Sequence, residues 1–168
     1  IRGYVIPEVF HGTSSAPVKV AGVIEDLTWT ALLNHYFTNV PSIVTGLQGS
    51  LVYYARPSAT ETDFTAILTK IRDSDAQIII HVLSGEAGIA FVKQWGEMEI
   101  PAVPIGVNVL SQGSEMWELS GGECEYETFI SSPVRVNVTE KTTPFWDSYK
   151  EKWGHDPIFT AFGGHDGI

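Results

Sequence analysis

A chain of 168 residues with one cysteine, Cys124, cannot close an internal disulfide or build a multi-cysteine metal site. Its neighbours Glu123 and Glu125 hold negative charge beside the thiol, which disfavours a reactive thiolate. Positive charge is also scarce: 10 basic residues face 20 acidic ones, for a net charge of −10. A polyanion such as DNA or RNA is repelled by that balance, and so is an anionic membrane surface. No apolar run approaches the roughly 18–20 residues of a membrane span, and no signal peptide opens the chain. The first residue is Ile1 rather than Met, an expectation that the natural N-terminus has been removed, so a missing leader says nothing about compartment.

Catalytic signatures are missing too. There is no G-x-x-x-x-G-K-[ST] loop, and Ile24-Glu25-Asp26-Leu27 stands where a G-x-G-x-x-G would follow the first strand. Ser84 follows a strand but has no elbow glycine two residues before it, so a nucleophilic serine paired with His81 is disfavoured. His11, His35, His81, His155 and His165 show no H-x-x-x-H or H-E-x-x-H spacing, which argues against a metal site. His81 reads as a satisfied core or crevice residue. Asn137-Val138-Thr139 matches a glycosylation sequon, a pattern common by chance. These absences describe a protein without catalysis and without a cofactor.

What is present is an ordinary globular composition, 43% hydrophobic, 11% aromatic and 18% charged. After an irregular lead-in over residues 1–17, short apolar runs alternate with helical stripes through residues 18–168, one domain's worth of chain. Val18–Ile24, Leu51–Ala55, Gln77–Leu83, Ala102–Gly106 and Tyr126–Ile130 read as strands, the continuous apolar ones as buried on both faces. Asp26 is a candidate cap for a helix carrying Leu32, Leu33, Tyr36, Phe37 and Val40, ended by Pro41. Thr62 is a candidate cap for the stripe Phe64, Ile67, Leu68 and Ile71. Glu86–Met98 continues with Ala87, Ala90, Phe91 and Trp95 inward, and Ser114–Leu119 is a short helix. A late helix starts at Thr143-Pro144 and stops at Gly154, with Phe145, Trp146, Tyr149 and Trp153 expected as one core-facing stripe.

Strand and helix in alternation predict a doubly wound α/β fold, a mostly parallel sheet with helices on both faces. Ligands in such sheets bind beyond the carboxyl ends of the strands. That rule selects Asp26–Trp29, Ala55–Ser58, Ser84–Glu86, Val107–Leu110 and Ser131-Ser132, a hydrogen-bonding and aromatic set suited to a polar small molecule. For Trp29 a ligand platform and packing on the domain's own surface remain equal alternatives.

The same segments carry a family resemblance. Val18-Lys19-Val20-Ala21-Gly22-Val23-Ile24-Glu25-Asp26-Leu27-Thr28-Trp29 resembles the opening of the second lobe in type I periplasmic solute-binding proteins, the branched-chain amino-acid binding proteins of ABC transporters. Thr62-Asp63-Phe64-Thr65 and Ile67–Ile71 resemble a helix of that lobe, Asp75–Ile80 its next strand, and Ala90–Gln94 the helix after it. Phe145–Gly154 with Pro157, then Gly164-His165-Asp166-Gly167, resemble its late elements. The ordered series spans residues 18–168 and implies one Rossmann-like lobe of a two-lobe protein. Its ligand, an amino acid, an amide or a carboxylate, is held in the cleft between lobes and handed to the transporter's membrane subunits in the periplasm or outside the cell.

The resemblance also implies site residues. Trp29 is the aromatic beside the ligand, Ser84-Gly85 the contacting turn with Glu86 close by, and Asn108 the position where amino-acid-binding members often place a carboxylate for the ligand ammonium. An amide there cannot supply that charge-assisted hydrogen bond, which makes an amide, a carboxylate or an aromatic acid more plausible than a free amino acid. Two other readings stay open: the ligand-sensing ectodomain of a signalling receptor with this fold, and a flavodoxin-like enzyme or phospho-acceptor using Asp26. The second is disfavoured because Ser131-Ser132-Pro133 offers no lysine after the last strand.

Overall fold

The computed structural model describes residues 9–13, 15–39, 49–131 and 134–166. Strand β1 (Val18–Ile24) leads through a 3-10 turn at Thr28–Thr30 into helix α1 (Ala31–Asn39), and β2 (Gly49–Ala55) is followed by α2 (Thr65–Asp73). Next come β3 (Ile78–Leu83), α3 (Gly85–Glu97), β4 (Val103–Asn108), a 3-10 turn at Leu110–Gln112 and α4 (Met116–Ser120). The short β5 (Thr128–Phe129), α5 (Thr142–Trp153) and α6 (Phe159–Asp166) complete the order. The strands form one sheet in the order β2-β1-β3-β4-β5, and every pair is parallel. The expected α/β fold is therefore the one observed. The winding direction reverses between β1 and β3, which opens a crevice at their carboxyl ends.

Two apolar layers explain why the strands are continuous apolar runs. Ala21, Val23, Ile79 and Leu83 face one layer, closed by Phe64, Leu68 and Ile71 with Phe91, Val92 and Trp95. Val20, Ile24, Ile78, Val82 and Ile105 face the other, with Phe37 against them. A sheet covered on both faces has no polar side to expose, so period-2 alternation disappears. Gly106 lets β3 and β4 approach: a Cβ there would collide with the backbone carbonyl of His81, its partner in register.

Several local expectations change. Asp26 does not cap α1; it pairs with Arg56 at the end of β2, Arg56 Nε donating at 2.7 Å. Thr62 does not cap α2; Asp63 does so by accepting the Thr65 N–H at 3.0 Å. The stripe on α5 is buried at Trp146 but not at Trp153, which is 57% exposed with Lys152 Nζ 5.0 Å from the ring centre. β5 is shorter than the expected Tyr126–Ile130, because Tyr126 takes a left-handed backbone at φ 71. Val40, Pro41, Ser132 and Gly167 lie outside the described residues.

Candidate functional site

The crevice at the strand ends is organised by Glu25, the first residue after β1. Its backbone N–H bonds to the Val82 carbonyl at 3.0 Å, which continues the sheet one residue past the strand. Its side chain is fully buried and accepts three hydrogen bonds: from the Ser84 N–H at 2.8 Å, the Ser84 hydroxyl at 2.7 Å and the Trp29 indole N–H at 3.0 Å. One carboxylate thus ties the ends of the two strands that flank the switch point and fixes the indole. Trp29 keeps half its surface open to the crevice. Ser84 sits at the N-cap of α3 in extended conformation, yet its hydroxyl turns to Glu25 instead of capping the helix. Gly85 follows at φ +58 with open space where a Cβ would stand, and Glu86 is exposed in the first turn.

Beside this wall lies a recess of about 520 Å³. Trp29 and Ser84 line it, together with Val107 at the end of β4 and Val109 just after it, here called the floor, and Gln112, Ile130 and Phe159. The lining is mostly apolar. Gln112 Oε1 accepts the Phe159 N–H at 3.3 Å and so anchors the start of α6 to the turn after β4. A larger recess of about 710 Å³ involves Phe145, Phe162 and His165 of α5 and α6, away from the strand ends. The switch-point rule favours the smaller one, since it is there that several loops converge.

A second buried carboxylate supports the floor. The Glu127 side chain is 2% exposed and accepts from Asn108 Nδ2 at 3.0 Å and the Ser111 hydroxyl at 2.6 Å. His81 Nε2 stands 3.2 Å from Glu127 Oε1, out of hydrogen-bond alignment, and the ring lies 5.6 Å from Phe91. His81 is thus a core residue, but its ring nitrogens make no aligned hydrogen bond. Asn108 is also fully buried; its second donor contact is the Gly88 carbonyl at 3.2 Å. At the β2 end of the crevice, the hydrogen bond to Asp26 raises the Arg56 pKa, and burial raises that of Tyr54. Among the described residues, no group of three or more His, Cys, Asp or Glu is placed to hold a metal ion. No described helix is long and apolar enough to cross a membrane.

A family model described as periplasmic binding protein matches residues 35–166, most of the chain. The chain belongs to this family. Solved structures with the same lobe include an ABC-transporter solute-binding protein from R. palustris in complex with benzoate. It shows 14% identity and a TM-score of 0.72 over 91% of this chain and 41% of that one. A putative branched-chain amino acid ABC transporter protein from Rhodospirillum rubrum has 17% identity and a TM-score of 0.70 over 90% and 43%. A leucine-, isoleucine-, valine-, threonine- and alanine-binding protein from Brucella ovis has 15% and 0.67 over 86% and 36%. At these identities the likeness is one of fold. The chain spans about two-fifths of the length of the first of these proteins. No curated protein sequence gives a significant match.

In this periplasmic binding protein, Trp29 and Ser84 line the recess and share Glu25, and Gly85 and Glu86 follow Ser84 in the first turn of α3 without lining it. Asn108 sits behind the floor, engaged with Glu127. Sequence reasoning passed over Glu25, Gln112 and Phe159. Glu25 carried a usable signal, a lone carboxylate directly closing an apolar strand run at the position the switch-point rule selects. Phe159 carried none, because only tertiary packing brings α6 to the strand ends.

Proposed function

We propose that this chain is one lobe of an extracytoplasmic solute-binding protein that serves an ABC transporter, and that it seats the apolar body of a small molecule against Trp29. The observation that supports this most is the recess of about 520 Å³ at the switch point, apolar on most sides and open to a facing surface. Its size suits a ligand of the small amino-acid or aromatic-acid class, and concave, largely apolar sites with a few placed polar groups are what such ligands need. Family membership and the fold support the transport role. Structural neighbours are described as bound to benzoate and to 3,4-dihydroxybenzoic acid, which agrees with an indole platform and valine floor. No bond is made or broken; two lobes close about a hinge and exclude water from the ligand. Trp29 is the platform, Ser84 and Gly85 the turn beneath it, and Glu86 the rim charge. Asn108, expected at the ligand, acts from behind the floor by holding Glu127. The membrane subunits of the transporter are the protein partner, in the periplasm or at the outer face of the cell.

A thermal-shift screen of the two-lobed protein tests the reading, with benzoates, branched-chain and aromatic amino acids, and their amides. A ligand of the folded state raises stability by about 2.7 kcal/mol at a hundredfold excess over Kd. Trp29→Ala removes roughly 100 Å² of apolar contact, about 2 kcal/mol, so binding weakens about thirtyfold, while the lost bond to buried Glu25 lowers the unliganded stability by about 1–3 kcal/mol. No stabilisation by any of these classes, or a Trp29→Ala protein that binds as well as the parent, refutes it.

A further inference from the structure

We propose that the recess accepts an uncharged end of its ligand, an aromatic ring or branched alkyl group, and turns away a carboxylate, because Glu25 already fills the anion position at the start of α3. This rests on the reading of the recess as the ligand site and adds which end of the ligand enters. The start of a helix offers unpaired N–H groups and the positive end of the dipole, which makes it the usual seat for an external anion at a switch point. Here that seat holds a side chain of the protein itself. Both donors of Ser84, the N–H and the hydroxyl, point at the buried Glu25 carboxylate at 2.8 and 2.7 Å. The indole N–H of Trp29 is engaged by the same group at 3.0 Å. An incoming carboxylate therefore finds both Ser84 donors and the Trp29 indole N–H engaged and a negative charge directly behind them.

The surroundings add to the exclusion. Glu86 places a second negative charge at the exposed rim of the same helix turn. Arg56, at the end of β2, is paired with Asp26 through Nε and Nη2, and only its buried Nη1 is without a hydrogen bond. Val107, Val109, Ile130 and Phe159 bring no charged group, and Gln112, whose side-chain oxygen accepts from the Phe159 N–H, offers a neutral amide rather than a cation. An aromatic acid consequently enters ring first and keeps its carboxylate turned outward, toward whatever surface closes over the recess.

Two isosteric probes separate the ends: terephthalate, charged at both, and 4-carbamoylbenzoate, charged at one. Binding to the full chain is followed by NMR at the Trp29 indole N–H, assigned by its loss in Trp29→Phe, with benzyl alcohol as a neutral reference. Benzyl alcohol shifts the Trp29 resonance, and 4-carbamoylbenzoate binds at least about tenfold more tightly than terephthalate. In Glu25→Gln, which keeps an acceptor for the indole but removes the charge, the gap narrows to within about threefold. If benzyl alcohol leaves Trp29 unmoved, the recess is not the site and both readings fall. If it binds but terephthalate matches 4-carbamoylbenzoate, the site stands and the exclusion of a carboxylate is wrong; if neither acid binds, the ring-first entry of an aromatic acid is wrong. An undiminished gap in a folded Glu25→Gln protein removes Glu25 as its cause. The comparison on the unmodified chain decides the main point even if that variant does not fold.

Discussion

Glu127→Ala is the sharpest stability test the structure offers. The carboxylate accepts from Asn108 Nδ2 and from the Ser111 hydroxyl, and it is the charged neighbour of His81, at 3.0, 2.6 and 3.2 Å. His81 and Asn108 are fully buried and Ser111 nearly so, so water cannot replace the lost partner without the floor opening. Asn108 keeps the Gly88 carbonyl, and Ser111 can rotate. Two buried hydrogen bonds, from Asn108 Nδ2 and the Ser111 hydroxyl, are lost all the same, at about 1–3 kcal/mol each. We therefore expect a loss of about 4 kcal/mol. In urea, with a slope of about 2 kcal/mol/M, the unfolding midpoint falls by about 2 M, and Tm drops by about 10 °C. Glu127→Gln keeps one acceptor and loses about half as much. A Glu127→Ala midpoint within about 0.5 kcal/mol of the parent would show that the network is not what holds β4, its following turn and β5 together.

Two further expectations follow from glycine packing and from charge. Gly106→Ala forces β3 and β4 apart at the His81 carbonyl and costs about 3 kcal/mol, read as a lowered urea midpoint. Gly163→Ala, on α6 with nothing near its missing Cβ, is neutral or gains up to about 1 kcal/mol; equal behaviour of the two variants would refute the close-approach argument. Asp156 accepts from Lys150 Nζ at 2.9 Å and Trp146 Nε1 at 3.1 Å, and the Lys150 bond is the leading cause of its lowered pKa. A carboxyl whose pKa is lower folded than unfolded stabilises fully above the unfolded value and loses that contribution as pH falls through the folded one. Stability should thus decline below about pH 4 partly through Asp156. Asp156→Asn should flatten that part of the acid profile, and an unchanged profile would remove the group from it.

Much of the fold was readable because burial on both faces imposes a pattern that needs no tertiary knowledge. Val18–Ile24 and Ile78–Leu83 are strands because nothing polar interrupts them, and the Phe64, Leu68, Ile71 stripe is a helix face because its spacing allows one buried side. The caps were less legible. Asp26 and Thr62 have the right chemistry in the right place, but Arg56 lies 30 residues from Asp26 in sequence and outbids the helix end with a charged partner. Asp63, one residue after Thr62, does the capping. Trp153 continues the spacing of its helix stripe and still faces water, since no described element covers the end of α5.

The sequence by itself determined the alternation of strand and helix, the burial of the sheet and the strand-end loops that frame the crevice, because those depend on local periodicity and on a topological rule. Tertiary structure alone decided the chemistry of the crevice. Ser84 lies 59 residues from Glu25, and Glu127 lies 19 from Asn108 and 16 from Ser111. A buried carboxylate is tolerated only where distant donors converge on it, and no local pattern announces that convergence. The same two carboxylates that look like surface charges in the chain become, once the strands align, the posts that hold the wall of the crevice and its floor.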